Sequence, residues 1–370
     1  MPAENPSSSN RRDFLTGKAL RRQVEQAGEH LADAITESES RSAPPVAGDT
    51  VRLQTRAMAC DFAIILNPDH GEQIPVASDA LETVHALERQ MTVYNEESEL
   101  SAINREAFSG FVSVEPKLFE LLHRSKRIAE ETGGAFDPTS GPLISLWKTC
   151  RQDGQIPTQE QIEATLKQTG IANIEWNPAK CTLRFKQAGV RLDLGGIGKG
   201  YALDRIASLL DDGGVNDFLL HGGHSSLLAS GDHNRLGGWP IGIRNPLFPQ
   251  KTWATLILRD RALASSGSGV QHFRHGGKRY GHILDPRTGW PVDGMLSVTV
   301  TAPTAAEADA LSTAFFVMGL ENARKYCDNR KEIGAILIPM PSHGRNLSPI
   351  VCNIREEDFF REDERQQGAC

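Results

Sequence analysis

The chain has 370 residues, a formal net charge of −7 at pH 7, 39% hydrophobic residues and 24% charged residues. That balance suits a folded soluble core and excludes a disordered chain. Its acidic sign and the lack of a long basic run give nucleic-acid binding no support. No stretch approaches about eighteen uninterrupted apolar residues, so no stable membrane insertion is expected.

Residues 1–50 are rich in Ser, Glu, Ala and Arg and end in Ala43-Pro44-Pro45, the composition of an N-terminal extension and linker. Asn10-Arg11-Arg12-Asp13-Phe14-Leu15 has the form of a twin-arginine export core. The apolar stretch that should follow is interrupted by Arg21, Arg22, Glu25 and Glu29. The expectation is a cytoplasmic protein, with export through an atypical twin-arginine signal as the alternative. Six cysteines without a CxxC pair predict free thiols and no zinc site.

Folded sequence is expected over 51–345, followed by a polar C-terminal tail, 346–370. Asp61–Leu66 reads as a strand, and Leu81, Val84, Leu87 and Met91 mark a helix over 77–91. Pro116 opens a helix that stops at Gly133-Gly134, and Pro157-Thr158 starts a short one through Leu166. Residues 181–193 read as strands broken by Gly189, and Gly198–Leu210 as a helix. Strands follow at 217–220, 239–243, 253–259, 280–284 and 295–301. Thr304-Ala305-Ala306-Glu307 has the form of a capping box ahead of the apolar run Ala308–Met318. A last strand covers Ile333–Ile338. Strands and helices mix without a regular βαβ period, which predicts an α+β fold.

Four blocks carry possible chemistry. In Asp193-Leu194-Gly195-Gly196-Ile197-Gly198-Lys199-Gly200, glycines sit where a strand passes into a helix, with a lysine alongside. Such a turn suits a diphosphate at a helix N-terminus, and equally a turn chosen for packing. Asp309 and Thr313 stand four apart, on one face of the helix behind the capping box. Amid apolar neighbours they suit a hard cation such as Mg²⁺, or Asp309 lies at a solvated edge and Thr313 bonds back to a carbonyl. The block from Tyr280 to Gly289 offers His282 as an acid, a base, a phosphate contact or a structural histidine. Gly133 to Thr139, with Trp147 beyond, either brings polar groups and an aromatic wall to a planar ring or joins two helices.

With those blocks in view, the sequence resembles the ApbE-like family of FAD:protein FMN transferases. The resemblance rests on MTVYNEESELSAIN (91–104), GAFDPTSGPLISLW (134–147), DLGGIGKGYALD (193–204), Gly222-Gly223, ASSG (264–267), YGHILDPRTGWP (280–291) and ADALST (308–313). It implies a mixed, two-lobed α+β fold with the FAD site between lobes. It also implies Mg²⁺-dependent transfer of FMN from FAD to a threonine of a partner flavoprotein, with release of AMP. A typical target reads Asp/Ser-Gly-Ala/Ser-Thr-Ser/Ala. The alternatives are an FAD pyrophosphatase yielding FMN and AMP, or a degenerate non-catalytic flavin-binding protein.

By the same resemblance, Asp309, Thr313 and the Gly198 carbonyl would hold the metal. Tyr94, Ser98, Asp137, Thr139, Lys199 and Asp204 would line or support the FAD site, and His282 would lie near the phosphates and help move a proton. His272 is a weaker candidate that matches no block of the family. Two blocks depart from the family pattern. Met58-Ala59-Cys60 stands where Met-Gly-Thr is usual, and Gly222-Gly223-His224 where Gly-Gly-Asp is usual.

Overall fold

The computed structural model describes residues 50–68, 71–268, 272–341 and 347–361. The expected extension over 1–50, with its export motif, falls outside the described residues except for Thr50.

β1 (Val51–Ala57) and β2 (Cys60–Leu66) form a hairpin in which Ala57 pairs with Cys60. Its turn residues Met58 and Ala59 both take positive φ, 51° and 58°. That is the twist of a two-residue primed turn, which glycine or asparagine adopts more easily. α1 (Ile74–Met91) and α2 (Glu99–Glu106) follow, then β3 (Val112–Ser113) and α3 (Pro116–Glu131). α3 begins as its sequence predicts, with Glu115 accepting from the Leu118 N–H at 2.8 Å. Next come α4 (Gly141–Gln152) and α5 (Gln159–Leu166). In α5 the N-terminal box is complete: Thr158 accepts from the Gln161 N–H, and Gln161 accepts from the Thr158 N–H.

β4 (Ile174–Asn177) and β5 (Thr182–Phe185) join β3 in a small sheet. The strand expected to continue through 193 ends at Phe185. The Leu192 N–H donates to Asn104 Oδ1 (2.7 Å) and Asn104 Nδ2 donates to the Leu192 carbonyl (2.9 Å), so a side chain takes the place of a neighbouring strand. α6 (Gly198–Asp212) starts after that segment. β6 (Phe218–Gly222), β7 (Ser226–Ser230), β8 (Trp239–Asn245), β9 (Phe248–Leu258) and β10 (Arg261–Gly267) come next. A hairpin of β11 (His272–His275) and β12 (Lys278–Gly281) leads to β13 (Met295–Ala302) and α7 (Ala305–Asn329), which is broken at Gly319 (φ 73°, ψ 178°). β14 (Gly334–Pro339), β15 (Ile350–Cys352) and β16 (Phe359–Arg361) complete the order.

The main sheet runs β1-β2-β6-β7-β10-β13-β14-β15 with antiparallel neighbours throughout. Phe62, Ile64, Leu66, Phe218, Leu220, Val298 and Val300 turn to one face, under α1, α6 and α7. Ala63, Ile65 and Leu219 are buried on the other face. Burial on both sides explains why β2 reads as an unbroken apolar run rather than an alternating one. The C-terminal segment read as a tail contributes two strands: β15 extends the main sheet, and β16 pairs with β9.

The start of α7 departs from its sequence signature. Thr304 Oγ1 accepts from the Glu307 N–H at 3.3 Å, but the Glu307 carboxylate turns to Arg330 (3.0 Å). The orphan N–H groups of Ala305 and Ala306 are taken by Asp204 of α6, at 2.7 and 3.0 Å. Arg330 also pairs with Glu131 and Glu332, so Glu307 belongs to an ion-pair hub.

Candidate functional site

α6 and α7 cross almost backbone to backbone at Gly200. A Cβ placed there would lie 2.1 Å from the Ala305 carbonyl oxygen, so the position admits only glycine. The close crossing lets the Gly200 N–H donate to Asp309 Oδ2 at 3.0 Å. Ser226 on β7 donates to Asp309 Oδ1 at 2.8 Å, and Lys199 Nζ stands 3.6 Å from Oδ2. A carboxylate 5% exposed is thus anchored on both oxygens, which offsets the cost of burying it.

Asp309 and Thr313 face the same cleft, of about 580 Å³. One wall is the turn ahead of α6, where Gly195 and Gly196 line the cleft together with Lys199. Asp193 Oδ1 accepts from the Gly195 N–H at 2.8 Å and sets that turn. A second wall carries hydroxyls from Ser225, Ser265 and Ser266 at the sheet's end. They are tied into the structure: Ser265 Oγ lies 2.8 Å from Thr299 Oγ1, and Ser266 Oγ lies 2.9 Å from Ser312 Oγ. Phe136 and Asp137, on the loop between α3 and α4, close the third side.

The glycines of the block divide between the cleft wall and the helix crossing. Gly195 and Gly196 present backbone to the cleft, while Gly200 exists for packing. Gly198 opens α6 between the lining residues Gly196 and Lys199 and is buried, and a Cβ there would meet Leu194 and Met91 at ordinary contact distance. The helix N-terminus and Lys199 give this wall a positive potential, although the Gly195, Ile197, Gly198 and Gly200 N–H groups are bonded within the protein.

The remaining predicted residues divide. His282 lines the cleft and is exposed at its mouth. Asp137 is buried and accepts from Thr139 N (2.8 Å), Thr139 Oγ1 (2.6 Å) and Ile171 N (2.9 Å). Burial raises its pKa against those bonds, which lower it. Thr139 is wholly buried and supports Asp137 while accepting from the Gly170 N–H. Asp204 sits below the cleft as the cap of α7, with Arg124 Nη1 at 3.9 Å. Burial pushes its carboxyl up to about 6, although the Ala306 and Ala305 N–H groups and Arg124 pull it down.

Ser98 is the buried cap of α2, accepting from the Ser101 N–H and donating to the Thr92 carbonyl. Tyr94 is 81% exposed beside it, with Lys148 Nζ 4.7 Å above its ring, and does not line the cleft. His272 lies on β11 opposite Gly281, one residue from His282, with a buried Nδ1 that finds no hydrogen-bond partner. Trp147 forms no wall of the cleft: it is buried among Phe273, Tyr280 and Trp290 and donates to the Gly289 carbonyl at 2.7 Å. The aromatic at the cleft is Phe136 instead.

Residues that the sequence did not single out hold the centre. Ser226 reaches Asp309 from 83 positions away, and the only local hint was the Ser225-Ser226 pair after the altered Gly-Gly block. His224 is exposed; of the two serines behind it, Ser225 lines the cleft and Ser226 bonds Asp309. Cys60 packs at Gly223, where a Cβ would come within 3.1 Å of it. Burial pushes the Cys60 thiol up to about 11, with Lys199 opposing and Asp61 and Asp309 adding to the shift.

Among the described residues, no group of three or more His, Cys, Asp or Glu gathers as a metal site. Magnesium needs no such group, being held by one or two carboxylates together with waters and substrate phosphates. Asp309 and Thr313 offer hard oxygen donors of that kind in the cleft. Among the described residues, no helix is long and apolar enough to cross a membrane.

Residues 51–337 match the ApbE family. An FAD:protein FMN transferase of Klebsiella pneumoniae is 31% identical over 271 residues, 73% of this chain and 83% of its own length. One from Treponema pallidum is 32% identical over 297 residues, 75% of this chain and 82% of its own. Among solved structures, the flavin transferase ApbE of Vibrio cholerae aligns with TM-score 0.72 at 27% identity, over 82% of this chain and 97% of that one. The ApbE protein of Thermotoga maritima aligns with TM-score 0.71 at 28% identity, over 86% and 99%.

Proposed function

The chain belongs to the ApbE family, and on that premise we propose that it transfers FMN from FAD to a threonine of a partner flavoprotein, releasing AMP, with Mg²⁺ held by Asp309, Thr313 and the Gly198 carbonyl. The observation that carries this reading is convergence: an anchored carboxylate, a hydroxyl, a lysine and a glycine-lined helix N-terminus meet in one cleft. A diphosphate ester is the part of FAD that needs all four.

In this reading the Gly195-Gly196 turn and the N-terminus of α6 bind the diphosphate, and Lys199 neutralises part of its charge. When bound, Mg²⁺ withdraws charge from the diphosphate and stabilises the departing AMP phosphate. Asp309 acts as a ligand rather than a roving base, because Gly200 and Ser226 hold its two oxygens in place. His282, exposed at the mouth, stands where an acceptor hydroxyl enters and takes its proton. Phe136 and Asp137 line the flavin side and Thr139 supports Asp137, while Asp204 caps α7, and Ser98 caps α2 beside the exposed Tyr94, away from the cleft lining. Transfer places the acceptor oxygen in line with the bond to the AMP phosphate, which a buried, prearranged site achieves by positioning.

The test is AMP release from FAD and Mg²⁺, with and without an acceptor domain bearing the target motif. Release that depends on the acceptor supports transfer. Equal release of FMN and AMP without it identifies a pyrophosphatase, and intact bound FAD a non-catalytic binder.

A further inference from the structure

The hairpin of β11 and β12 carries a charge opposite to that of the whole chain. The net charge is −7, yet residues 261–284 hold no Asp or Glu, while 272–282 contribute Arg274, Lys278, Arg279 and three histidines. The two faces of the hairpin differ. Phe273 and Tyr280 pair across the strands with ring centroids 5.4 Å apart, and both pack on Trp147 of α4, at 6.2 and 5.8 Å. Those contacts hold the inner face to the molecule. By strand alternation Arg274 and Arg279 belong to the other face, where both are exposed and stand directly opposite each other. Like charges in that position cost stability. An anion lying across both would reverse the sign of that cost.

The strip starts at the cleft. Arg279 donates to the carbonyl of Ser268, next to the lining residue Gly267, and β12 runs directly into His282. Its far end is fixed at α4, where His275 Nδ1 donates to the Gly154 carbonyl at 3.0 Å. Arg151, exposed in the last turn of α4, belongs to the same strip. The pKa of His272 is lowered first by burial, then by Arg279, Arg274 and Arg151, so the three guanidinium fields overlap there. A four-residue strand spans about 13 Å, the length of about four extended residues of a bound chain.

We propose that the outer face of β11–β12, with Arg151 beside it, docks an acidic segment of the acceptor protein and so leads its target hydroxyl past His282 into the cleft. This rests on the reading above that the second substrate is a protein. An extended chain along the strip would place its carboxylates about four residues from the target threonine. Attraction at an exposed strip acts on capture rather than on chemistry, so it lowers the KM for the acceptor and leaves kcat unchanged. The strip suits a protein better than an anionic bilayer. Its tip is Gly276-Gly277 and both aromatic residues turn inward, which leaves no apolar side chain there to enter a lipid surface.

The test uses the full chain and two labelled peptides carrying Asp-Gly-Ala-Thr-Ser. One has three glutamates on each side, set four residues from the threonine, and the other has glutamines in their place. Fluorescence polarisation with FAD and no Mg²⁺ reads docking; intact mass with FAD and Mg²⁺ reads FMN transfer. The acidic peptide should bind about tenfold more tightly, and the gap should close at about 0.5 M NaCl. Arg274→Glu should abolish the gap without lowering Tm, because it sets a carboxylate opposite Arg279. FMN transfer to the glutamine peptide should proceed in that variant at the parent rate. Equal binding of the two peptides, or a gap that survives Arg274→Glu, overturns the proposal. So does binding of phosphatidylserine vesicles with no gap between the peptides. FMN added to both peptides without a binding gap refutes the docking face and leaves the transfer reading intact. A binding gap with FMN on neither peptide supports the docking face and refutes the transfer reading.

Discussion

Of two glycines two positions apart in the same turn-and-helix block, one should lose stability on substitution by alanine and the other should not. In Gly200→Ala the new methyl would sit 2.1 Å from the Ala305 carbonyl oxygen, 2.4 Å from its carbon and 2.7 Å from the Ala306 nitrogen. These are backbone atoms that cannot turn aside, so α6 and α7 must part by roughly 1 Å, an overpacking cost of about 1–3 kcal/mol. The same shift pulls the Gly200 N–H from the Asp309 carboxylate, now 3.0 Å away, a further cost of about 1.5–3 kcal/mol for a bond to a charged group. The better helix propensity of alanine returns about 1 kcal/mol. The net expectation is a loss of roughly 1.5–5 kcal/mol. In Gly198→Ala the nearest atoms are Leu194 Cβ at 3.8 Å and Met91 Cε at 3.9 Å, ordinary contact, and stability should hold within about 1 kcal/mol. Urea unfolding of both variants measures the contrast. Equal midpoints, or a Gly200→Ala protein as stable as the parent, would refute the assignment of Gly200 to helix packing and Asp309 placement.

Asp204, pushed up to about 6 in the fold from an ordinary 3.8, makes the folded state bind more protons than the unfolded one between those values. Its contribution therefore favours folding at low pH and is lost as pH rises from about 4 to about 6. Asp204→Asn, which keeps a capping oxygen, should remove that slope, on the order of 2–3 kcal/mol across the window; a parallel pH–stability curve for both proteins would contradict it. Ala59→Gly should relieve the left-handed turn residue at φ 58° and raise stability by about 1 kcal/mol, read as a higher urea midpoint. Asp309→Ala should cut Mg²⁺-dependent FMN transfer by about 100-fold or more; a rate near that of the parent would remove Asp309 from the metal reading.

The elements easiest to read in the sequence were those whose local signals and tertiary contacts agree. The apolar run of β2, the Pro116 start of α3 and the Thr158 box of α5 each stand where their residues indicate. β7 and β10 escaped notice, although both are central strands, because SLLAS and RALASSG are rich in Ala and Ser and lack the branched and aromatic residues that mark a strand. Segment 186–193 misled in the other direction: its apolar Val190 and Leu192 are buried, but Asn104 holds the backbone that a strand would have held. At the cleft, the spacing of Asp309 and Thr313 announced a shared helix face. What a spacing cannot carry is contact between distant segments. Ser226 on Asp309, Asp204 on the first turn of α7, and Trp147 turned into an aromatic cluster are all products of packing between elements.

The central claim is that FMN moves from FAD to a protein hydroxyl. The direct measurement is the intact mass of an acceptor flavoprotein domain carrying the target motif, after incubation with this protein, FAD and Mg²⁺, beside the same acceptor with its target threonine replaced by valine. The account predicts one FMN added to the first acceptor, stoichiometric AMP, and no addition to the second. Free FMN and AMP with both acceptors unmodified would contradict it.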